Sequence, residues 1–141
     1  MKPRACALIL NESQQILLIH RIKNDREYWV FPGGGIEAGE TAEQAVIREV
    51  KEETSLIAKS VALVFEQFNA DRKESYFSVD IASGKVELGN GPEKLKQSRS
   101  NFYAPQWVDV AKLKAINLQP EAAAEKLQKL LPQGGLKVTK I

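Results

Sequence analysis

Short apolar runs alternate with polar turns in the first quarter of the chain. Residues 5–10 predict a buried strand, and residues 16–21 predict a second strand that forms a hairpin with the first. Residues 22–27 are polar and indicate a loop. The aromatic run 28–31 predicts a short strand, which ends where Pro32 and the three glycines after it indicate a sharp turn.

The next elements are predicted to be a helix and a second hairpin. Residues 41–54 contain no glycine or proline, and Thr41 with Gln44 three positions later matches a capping box, so a helix begins here. Residues 56–68 and 75–82 are rich in β-branched and aromatic side chains, which favours two strands. The polar turn NADRKE separates them and predicts that they pair.

The last part of the chain is predicted to hold a loop, a strand and a second helix. Residues 84–100 contain three glycines and Pro92, which indicates a long loop or lid beside the site. Residues 106–110 predict a last short strand. Pro120 is expected in the first turn of a helix that ends at the glycine pair 134–135. Strands mixed with two main helices predict an α+β fold, with helices packed on a mixed sheet.

Composition narrows the class of protein. The 141 residues, 43% hydrophobic and 27% charged, are expected to form a single domain over 1–141. No apolar run approaches the roughly 20 residues that span a bilayer, so no membrane residence is expected. A net charge of +2 with scattered basic residues does not indicate nucleic acid as a partner. The lone Cys6 lies in an apolar strand pattern, which predicts a buried, inert thiol and agrees with a cytoplasmic setting.

The first helix carries acidic residues on the side that should face the core. With Ala42 at zero and 100° per residue, Glu49, Glu52 and Glu53 fall at roughly −20°, −80° and +20°. The apolar Ala45, Val46 and Val50 fall at roughly −60°, +40° and +80°. Three carboxylates therefore share the apolar face of the helix.

Carboxylates on such a face need a positive partner, because burying an unpaired one costs several kcal/mol. Side chains three and four positions apart can converge on a hard divalent cation, and magnesium keeps places for waters and phosphate oxygens. The glycines before the helix let backbone groups approach a metal or a phosphate. Arg48 lies one turn before Glu52 and can pair with it, which would aim the acidic array. The pattern predicts a metal site for a phosphate-bearing substrate.

The segment 34–56 resembles the Nudix box, the signature of the Nudix (MutT-like) hydrolases. It departs from the signature at one position, where Ser55 stands in place of a glycine that shapes the turn after the helix. The resemblance implies an α/β/α sandwich on a mixed sheet, in which the box forms a loop, a helix and a loop. The matching positions are Gly34, Glu40, Arg48, Glu49, Val50, Glu52, Glu53 and Leu56.

The resemblance also implies the roles of the acidic residues. Glu49 and Glu53 would be the principal ligands of one to three Mg²⁺ or Mn²⁺ ions. Glu52 would be a further ligand or a partner bridged by water, and the carbonyl of Gly33 would be an additional ligand. Glu40 would lie near the metals. Glu49 or Glu53 is the first candidate to take the proton of the attacking water, and Glu40 is the second. An acidic residue outside the box is a further candidate, in the order Glu93, Glu74 and Glu66.

Other candidate residues concern the substrate. Gly34 and Gly35 are expected to approach it through their backbone, and Arg21 and Arg26, with Arg72, are candidates to grip its phosphates. The alternative interpretation of each arginine is a charged loop residue that faces solvent and binds no substrate. His20 is expected to be structural. Aromatic residues could stack on a base, although strand aromatics are core residues first; they are Trp29, Phe65, Phe68, Tyr76, Tyr103 and Trp107.

The function that the resemblance implies is metal-dependent hydrolysis of a nucleoside diphosphate linked to a group X. A nucleoside triphosphate, giving the monophosphate and pyrophosphate, is favoured because the chain is short. ADP-ribose and dinucleoside polyphosphates stay open. A catalytically silent nucleotide sensor is an alternative, although such proteins lose box carboxylates. An isoprenoid diphosphate isomerase would need a cysteine near the site, and Cys6 is poorly placed. A homodimer is possible.

Overall fold

The computed structural model describes residues 2–87 and 101–141 of the chain. Within these residues, strands outnumber helices, and the strands lie before, between and after the two α-helices along the chain. The α-helices are α1 (Ala42–Thr54) and α2 (Glu121–Leu130). The strands are β1 (Arg4–Leu8), β2 (Leu10–Asn11), β3 (Gln15–Lys23), β4 (Arg26–Val30), β5 (Gly33–Gly35), β6 (Ile57–Asn69), β7 (Arg72–Ser83), β8 (Asn101–Asp109), β9 (Leu118–Gln119) and β10 (Val138–Thr139).

The described strands form two sheets that share one stretch of chain. The first sheet has the order β5-β1-β7-β6, in which β1 is antiparallel to β5 and parallel to β7. The second has the order β10-β2-β3-β4-β9, and β8 pairs with β3. Only Ile9 separates β1 from β2, so a single extended segment passes from one sheet into the other. Both sheets are mixed, because each contains parallel and antiparallel pairs.

Two hydrophobic cores cover opposite sides of the strands. Side chains alternate along β1, so that Ala5 and Ala7 face α1 while Cys6 and Leu8 face α2. The α1 core also contains Ala45, Val46, Val50, Leu56, Phe77, Val79 and Ile81. The α2 core also contains Ile16, Leu18, Phe31, Tyr76, Ala123, Ala124 and Leu127. The helix–strand–helix layering confirms the α+β fold and the α/β/α sandwich.

The prediction of a loop over residues 22–27 is wrong. β3 continues to Lys23 and β4 begins at Arg26, which leaves only Asn24 and Asp25 in the turn. These two residues have φ angles of 51° and 65°, which short polar side chains tolerate better than most others. A two-residue turn of this kind closes a hairpin whose ends next to the turn are exposed or partly exposed, which agrees with their polar residues.

Other elements differ from the predictions in extent. The glycines after Pro32 form β5 instead of only a turn, and the last long strand begins at Asn101 instead of residue 106. Pro120 is the N-cap of α2 and not part of its first turn. Residues 84–87 have no regular structure, and the rest of the predicted loop lies outside the described residues. None of the described helices has the length and apolar character needed to cross a membrane.

Candidate active site

The acidic helix begins at the predicted capping box. The backbone N–H of Gln44 donates to Thr41 Oγ1 at 3.1 Å, and the N–H of Thr41 donates to Gln44 Oε1 at 2.9 Å. These two bonds satisfy donors that the first turn of a helix leaves without partners. The helix ends at Ser55, whose φ of 67° places it in the left-handed region that the signature's glycine would occupy without strain.

Glu53 lies against the glycine strand. Its Oε1 accepts a hydrogen bond from the backbone N–H of Gly33 at 2.7 Å, and the residue is only 7% exposed. A side chain at Gly33 would collide with the carbonyl of Ala5 and the Cα of Cys6. The absence of a side chain at residue 33 therefore lets β5 lie close to β1. This position brings the N–H of Gly33 to the carboxylate of Glu53.

Glu49 lies against the next residue of the same strand. A Cβ placed on Gly34 would be 2.5 Å from Glu49 Oε1, so the carboxylate fills the space that a larger residue would take. The Glu49 side chain is 14% exposed. Glu49 and Glu53, one helical turn apart, thus face neighbouring glycines, as their shared helix face predicts.

Arg48 holds the acidic residues of the box together. Its Nε donates to Glu40 Oε2 at 2.8 Å and its Nη2 to Glu40 Oε1 at 2.9 Å, which is a bidentate pair. Nη1 donates to Glu49 Oε1 at 2.9 Å, and Nη2 also donates to the carbonyl of Gly35 at 3.1 Å. The predicted pairing with Glu52 is present but longer, at 3.4 Å.

These contacts change the acid–base properties of the pair. The hydrogen bonds from Arg48, followed by the backbone bond within the 37–40 turn, lower the pKa of Glu40 to about 2. The same bonds, which Arg48 donates to Glu40, raise the pKa of Arg48 above its ordinary value against the opposing effect of burial. Glu40 is therefore an ionised, weakly basic carboxylate near neutral pH.

The carboxylates of the box are divided between two partners. Glu49 and Glu52 turn towards Arg48, while Glu53 turns towards Gly33. In residues 2–87 and 101–141, no three histidine, cysteine or acidic side chains are arranged as a complete metal centre. The donors themselves are carboxylate and carbonyl oxygens around a side-chain-free strand, which is the ligand type that magnesium and manganese take. The residues therefore fit a hard divalent cation by chemistry.

A pocket of about 230 Å³ opens on the α2 side of β1. Cys6, which lines it, pairs across the sheet with Gly33, so the pocket adjoins the glycine strand. Burial raises the pKa of the Cys6 thiol to about 11, which agrees with the prediction of an inert cysteine. The other lining residues are Arg4, Val30, Phe31, Asn69, Arg72, Glu74, Tyr76, Gln119 and Pro120.

Glu74 is the buried carboxylate of this pocket, with an exposure of 2%. Its Oε1 accepts from Gln67 at 3.2 Å and from the hydroxyl of Tyr76 at 3.1 Å, and Asn69 approaches Oε2 at 3.5 Å. It is thus a hydrogen-bonded wall residue. Of the other candidates outside the box, Glu66 pairs with Lys73 at the surface at 3.2 Å. Glu93 lies outside the described residues.

Arg4 is a pocket residue that sequence reasoning missed. Its pKa is raised overall: burial lowers it, but the Cys6 thiol, which also bonds to Arg4, and the charges of Glu53 and Glu74 raise it more. The only sequence signal is its phase with Cys6 and Leu8, which places it on the α2 side of β1. A single residue at the start of a strand that follows the alternation of Cys6 and Leu8 is not enough to indicate a binding site.

The structure places Arg21 and Arg26 in a different environment from the box. The guanidinium of Arg21 lies 3.7 Å from the ring centroid of Tyr103 and 5.5 Å from that of Tyr28. Arg26 lies 5.7 Å from the Tyr28 ring, next to the hairpin turn. No hydrogen bond joins either arginine to the acidic helix among the described contacts, so their substrate-binding role stays a prediction.

His20 and the aromatic candidates have mostly structural surroundings. The His20 ring stacks on Trp29 at 4.2 Å, and its Nε2 lies 2.8 Å from Glu27 Oε2. Tyr76 is buried in the pocket wall and stacks on Phe65 at 4.6 Å. Of the remaining candidates, Trp107 packs against the α1 core, Tyr103 lies under Arg21, and Phe68 is exposed.

The fold and the glycine–glutamate arrangement agree with a comparison against known families. The model of the NUDIX domain matches residues 1–133, and the chain belongs to the Nudix family. A provisionally named 8-oxo-dGTP diphosphatase of Bacillus subtilis is 52% identical over 91 residues, which cover 63% of this chain and 59% of that protein. An ADP-ribose pyrophosphatase of Methanocaldococcus jannaschii is 37% identical over 89 residues, 58% of this chain. The chain spans 53% of that archaeal protein's length.

Solved structures agree on the fold. A MutT structure from a study of the Aliivibrio salmonicida and Vibrio cholerae proteins superimposes with a TM-score of 0.74. The superposition covers 94% of this chain and 98% of that one, at 23% identity. At this identity the likeness supports the fold alone. It agrees with the two-sheet, two-helix architecture described above.

Proposed function

We propose that this chain is a metal-dependent pyrophosphohydrolase that cleaves a nucleoside diphosphate linked to a further group. Nucleoside triphosphates are the favoured substrates, and the products are the nucleoside monophosphate and pyrophosphate. One observation carries the proposal: Glu49 and Glu53 lie against adjacent glycines of β5, the strand that pairs with Arg4 and Cys6 of a polar, aromatic-walled pocket. An acidic helix face beside a pocket suits a substrate that joins a nucleoside to phosphates.

Glu49 and Glu53 would hold a magnesium or manganese ion, with Glu52 and the Gly33 carbonyl as further ligands. Such an ion, when bound, neutralises the diphosphate and lowers the pKa of a bound water. The protein's own part is to keep the carboxylates in place. The N–H of Gly33 orients Glu53, and Arg48 orients Glu49 and Glu40.

The proton of the attacking water goes to a carboxylate. Glu40 is poorly suited, because both of its oxygens accept bonds from Arg48 and its pKa is about 2. Glu49 or Glu53 is the better candidate, and a glutamine in its place could not take the proton. Glu40 then serves with Arg48 to shape the loop before α1.

The pocket is suited to the nucleoside. Phe31 and Tyr76 supply aromatic walls, while the amides of Asn69 and Gln119 can hydrogen-bond to a base. The Bacillus relative named for 8-oxo-dGTP favours a nucleoside triphosphate, including one with an oxidised base. The archaeal relative named for ADP-ribose keeps a nucleoside diphosphate sugar as the second candidate.

A substrate screen tests the proposal. Nucleoside triphosphates, 8-oxo-dGTP, ADP-ribose, diphosphate sugars and dinucleoside polyphosphates are incubated with the protein, with and without Mg²⁺ or Mn²⁺, and products are separated by chromatography. Metal-dependent release of monophosphate and pyrophosphate from a triphosphate is expected. Preferential cleavage of ADP-ribose would select the second candidate. Nucleotide binding without cleavage of any compound would instead favour a catalytically silent sensor.

A further inference from the structure

Arg4 lies where the pocket adjoins the glycine strand. Its backbone is paired with Gly35 of β5 on one side and with Glu74 of β7 on the other. Its side chain lines the pocket together with Cys6, whose partner across the sheet is Gly33. Arg72, the other arginine of the pocket, lies instead where β7 leaves the hairpin turn. Arg4 therefore lies on the strand next to the glycine strand, and Arg72 lies one strand further from it.

Arg4 is a cation between two buried carboxylates. The charges of Glu53, on the acidic helix, and of Glu74, in the pocket wall, both act on its guanidinium. Each carboxylate already has other donors: Gly33 bonds to Glu53, and Gln67, Asn69 and Tyr76 surround Glu74. A guanidinium has five N–H donors in a fixed fork, so it has donors to offer a ligand in the pocket.

β1, which carries Arg4 and Cys6, lies between the pocket wall of β7 and the glycine strand of the box. If the nucleoside lies between Tyr76 and Gln119, a first phosphate directed towards the box lies over β1, beside Arg4. Phosphate oxygens match the fork of an arginine in a bidentate manner. Burial strengthens such a contact, because the local dielectric is lower than in water.

We propose that Arg4 binds the phosphate directly attached to the nucleoside and so sets the position of the scissile linkage relative to Glu49 and Glu53. This inference depends on the proposed function, since it places a nucleotide in the pocket. It assigns Arg4 to the phosphate rather than to the base. Arg72, one strand further from the glycine strand, is assigned to the nucleoside.

Affinities for nucleosides and nucleoside monophosphates, measured without metal, separate a contact with the phosphate from a contact with the nucleoside. Deoxyguanosine and dGMP, and their 8-oxo forms, are titrated against the wild-type protein and against Arg4→Gln by calorimetry and protein NMR in the presence of EDTA. Arg4→Gln is expected to weaken binding of the monophosphate about 10- to 100-fold while leaving the nucleoside's affinity unchanged. Arg4→Lys, which keeps the charge but not the fork, is expected to lose less of the monophosphate affinity.

Arg72→Gln is the matched control, because it removes the same guanidinium from the pocket strand that lies further from the glycine strand. It is expected to change the affinities of nucleoside and monophosphate by the same factor. Equal weakening of both ligands in Arg4→Gln, or no weakening in a folded Arg4→Gln or Arg4→Lys protein, would overturn the assignment of Arg4 to the phosphate. Failure of the wild-type protein to bind any nucleoside or monophosphate would overturn this inference alone, because cleavage in the substrate screen tests the proposed function separately.

Discussion

The backbone N–H of Gly33 and the carboxylate of Glu53 form a 2.7 Å hydrogen bond that joins the glycine strand to the last turn of the acidic helix. The bond fixes the direction of a buried carboxylate within the protein. It also explains why an acidic residue is tolerated at a position that is only 7% exposed. The orientation of the Glu53 carboxylate is thus set by the fold itself.

Replacing Glu53 or Glu49 with glutamine is expected to lower kcat/KM by at least about 100-fold while the protein stays folded. In Glu53→Gln the new amide oxygen can still accept the bond from Gly33, but in neither variant does the amide carry the charge or take a proton. Steady-state kinetics and circular dichroism check this. Glu43→Gln, on the exposed first turn of the same helix, is the control and should keep wild-type kinetics. Near-normal turnover with both Glu49 and Glu53 changed would contradict the assignment.

The acidic helix and its capping box could be predicted because their signals are local. Residue spacing fixes which side chains share a helix face, and Thr41 with Gln44 marks the first turn. The same reasoning gave the β6–β7 hairpin and the two main helices. These elements were confirmed because the pattern of the chain and the fold favour the same structure.

Other parts depend on contacts between distant residues, which periodicity does not reveal. The glycines at 33–35 indicated only a turn, yet they pair with β1 because the space beside Ala5 and Cys6 admits no side chain. Arg4 carries no local signal of a site. The main partner of Arg48 is Glu40, in the loop before α1, and not Glu52 on the same helix. Such a loop is not constrained by helical spacing.

Substitution of adjacent glycines is expected to separate activity from stability. In Gly34→Ala the new methyl group meets only the mobile end of Glu49, which can move aside. Turnover should therefore fall while thermal stability changes little. In Gly33→Ala the methyl group meets the backbone of β1, and a loss of about 1–3 kcal/mol in unfolding free energy is expected. Melting curves and kinetics measured on both variants check the contrast, which fails if Gly34→Ala is the less stable protein.

The pairing of Glu40 with Arg48 predicts a pH dependence of stability. Because the folded-state pKa of Glu40 is about 2, below its ordinary value of 4.5, the contribution is present above pH 4.5 and is lost as pH falls towards 2. Between these values, the unfolding free energy of the wild-type protein should fall more steeply than that of Glu40→Gln. Urea titrations at several pH values measure both slopes. The pair is only partly buried, so added salt should reduce the difference. Parallel slopes would contradict this account of the pair.

Ser55 stands at a left-handed position, with φ of 67°, where the family signature has glycine. Ser55→Gly should therefore raise the unfolding free energy by about 0.5–1 kcal/mol, since relief of backbone strain exceeds the added freedom of the unfolded chain. Turnover should stay within a few-fold of wild type, because Ser55 follows the acidic residues and holds no ligand position. The control is Ser13→Gly, the same change in an exposed turn without a positive φ, which should give no gain in stability. A large gain in turnover from Ser55→Gly would mean that the serine impairs the box itself, and not only the turn that follows the helix.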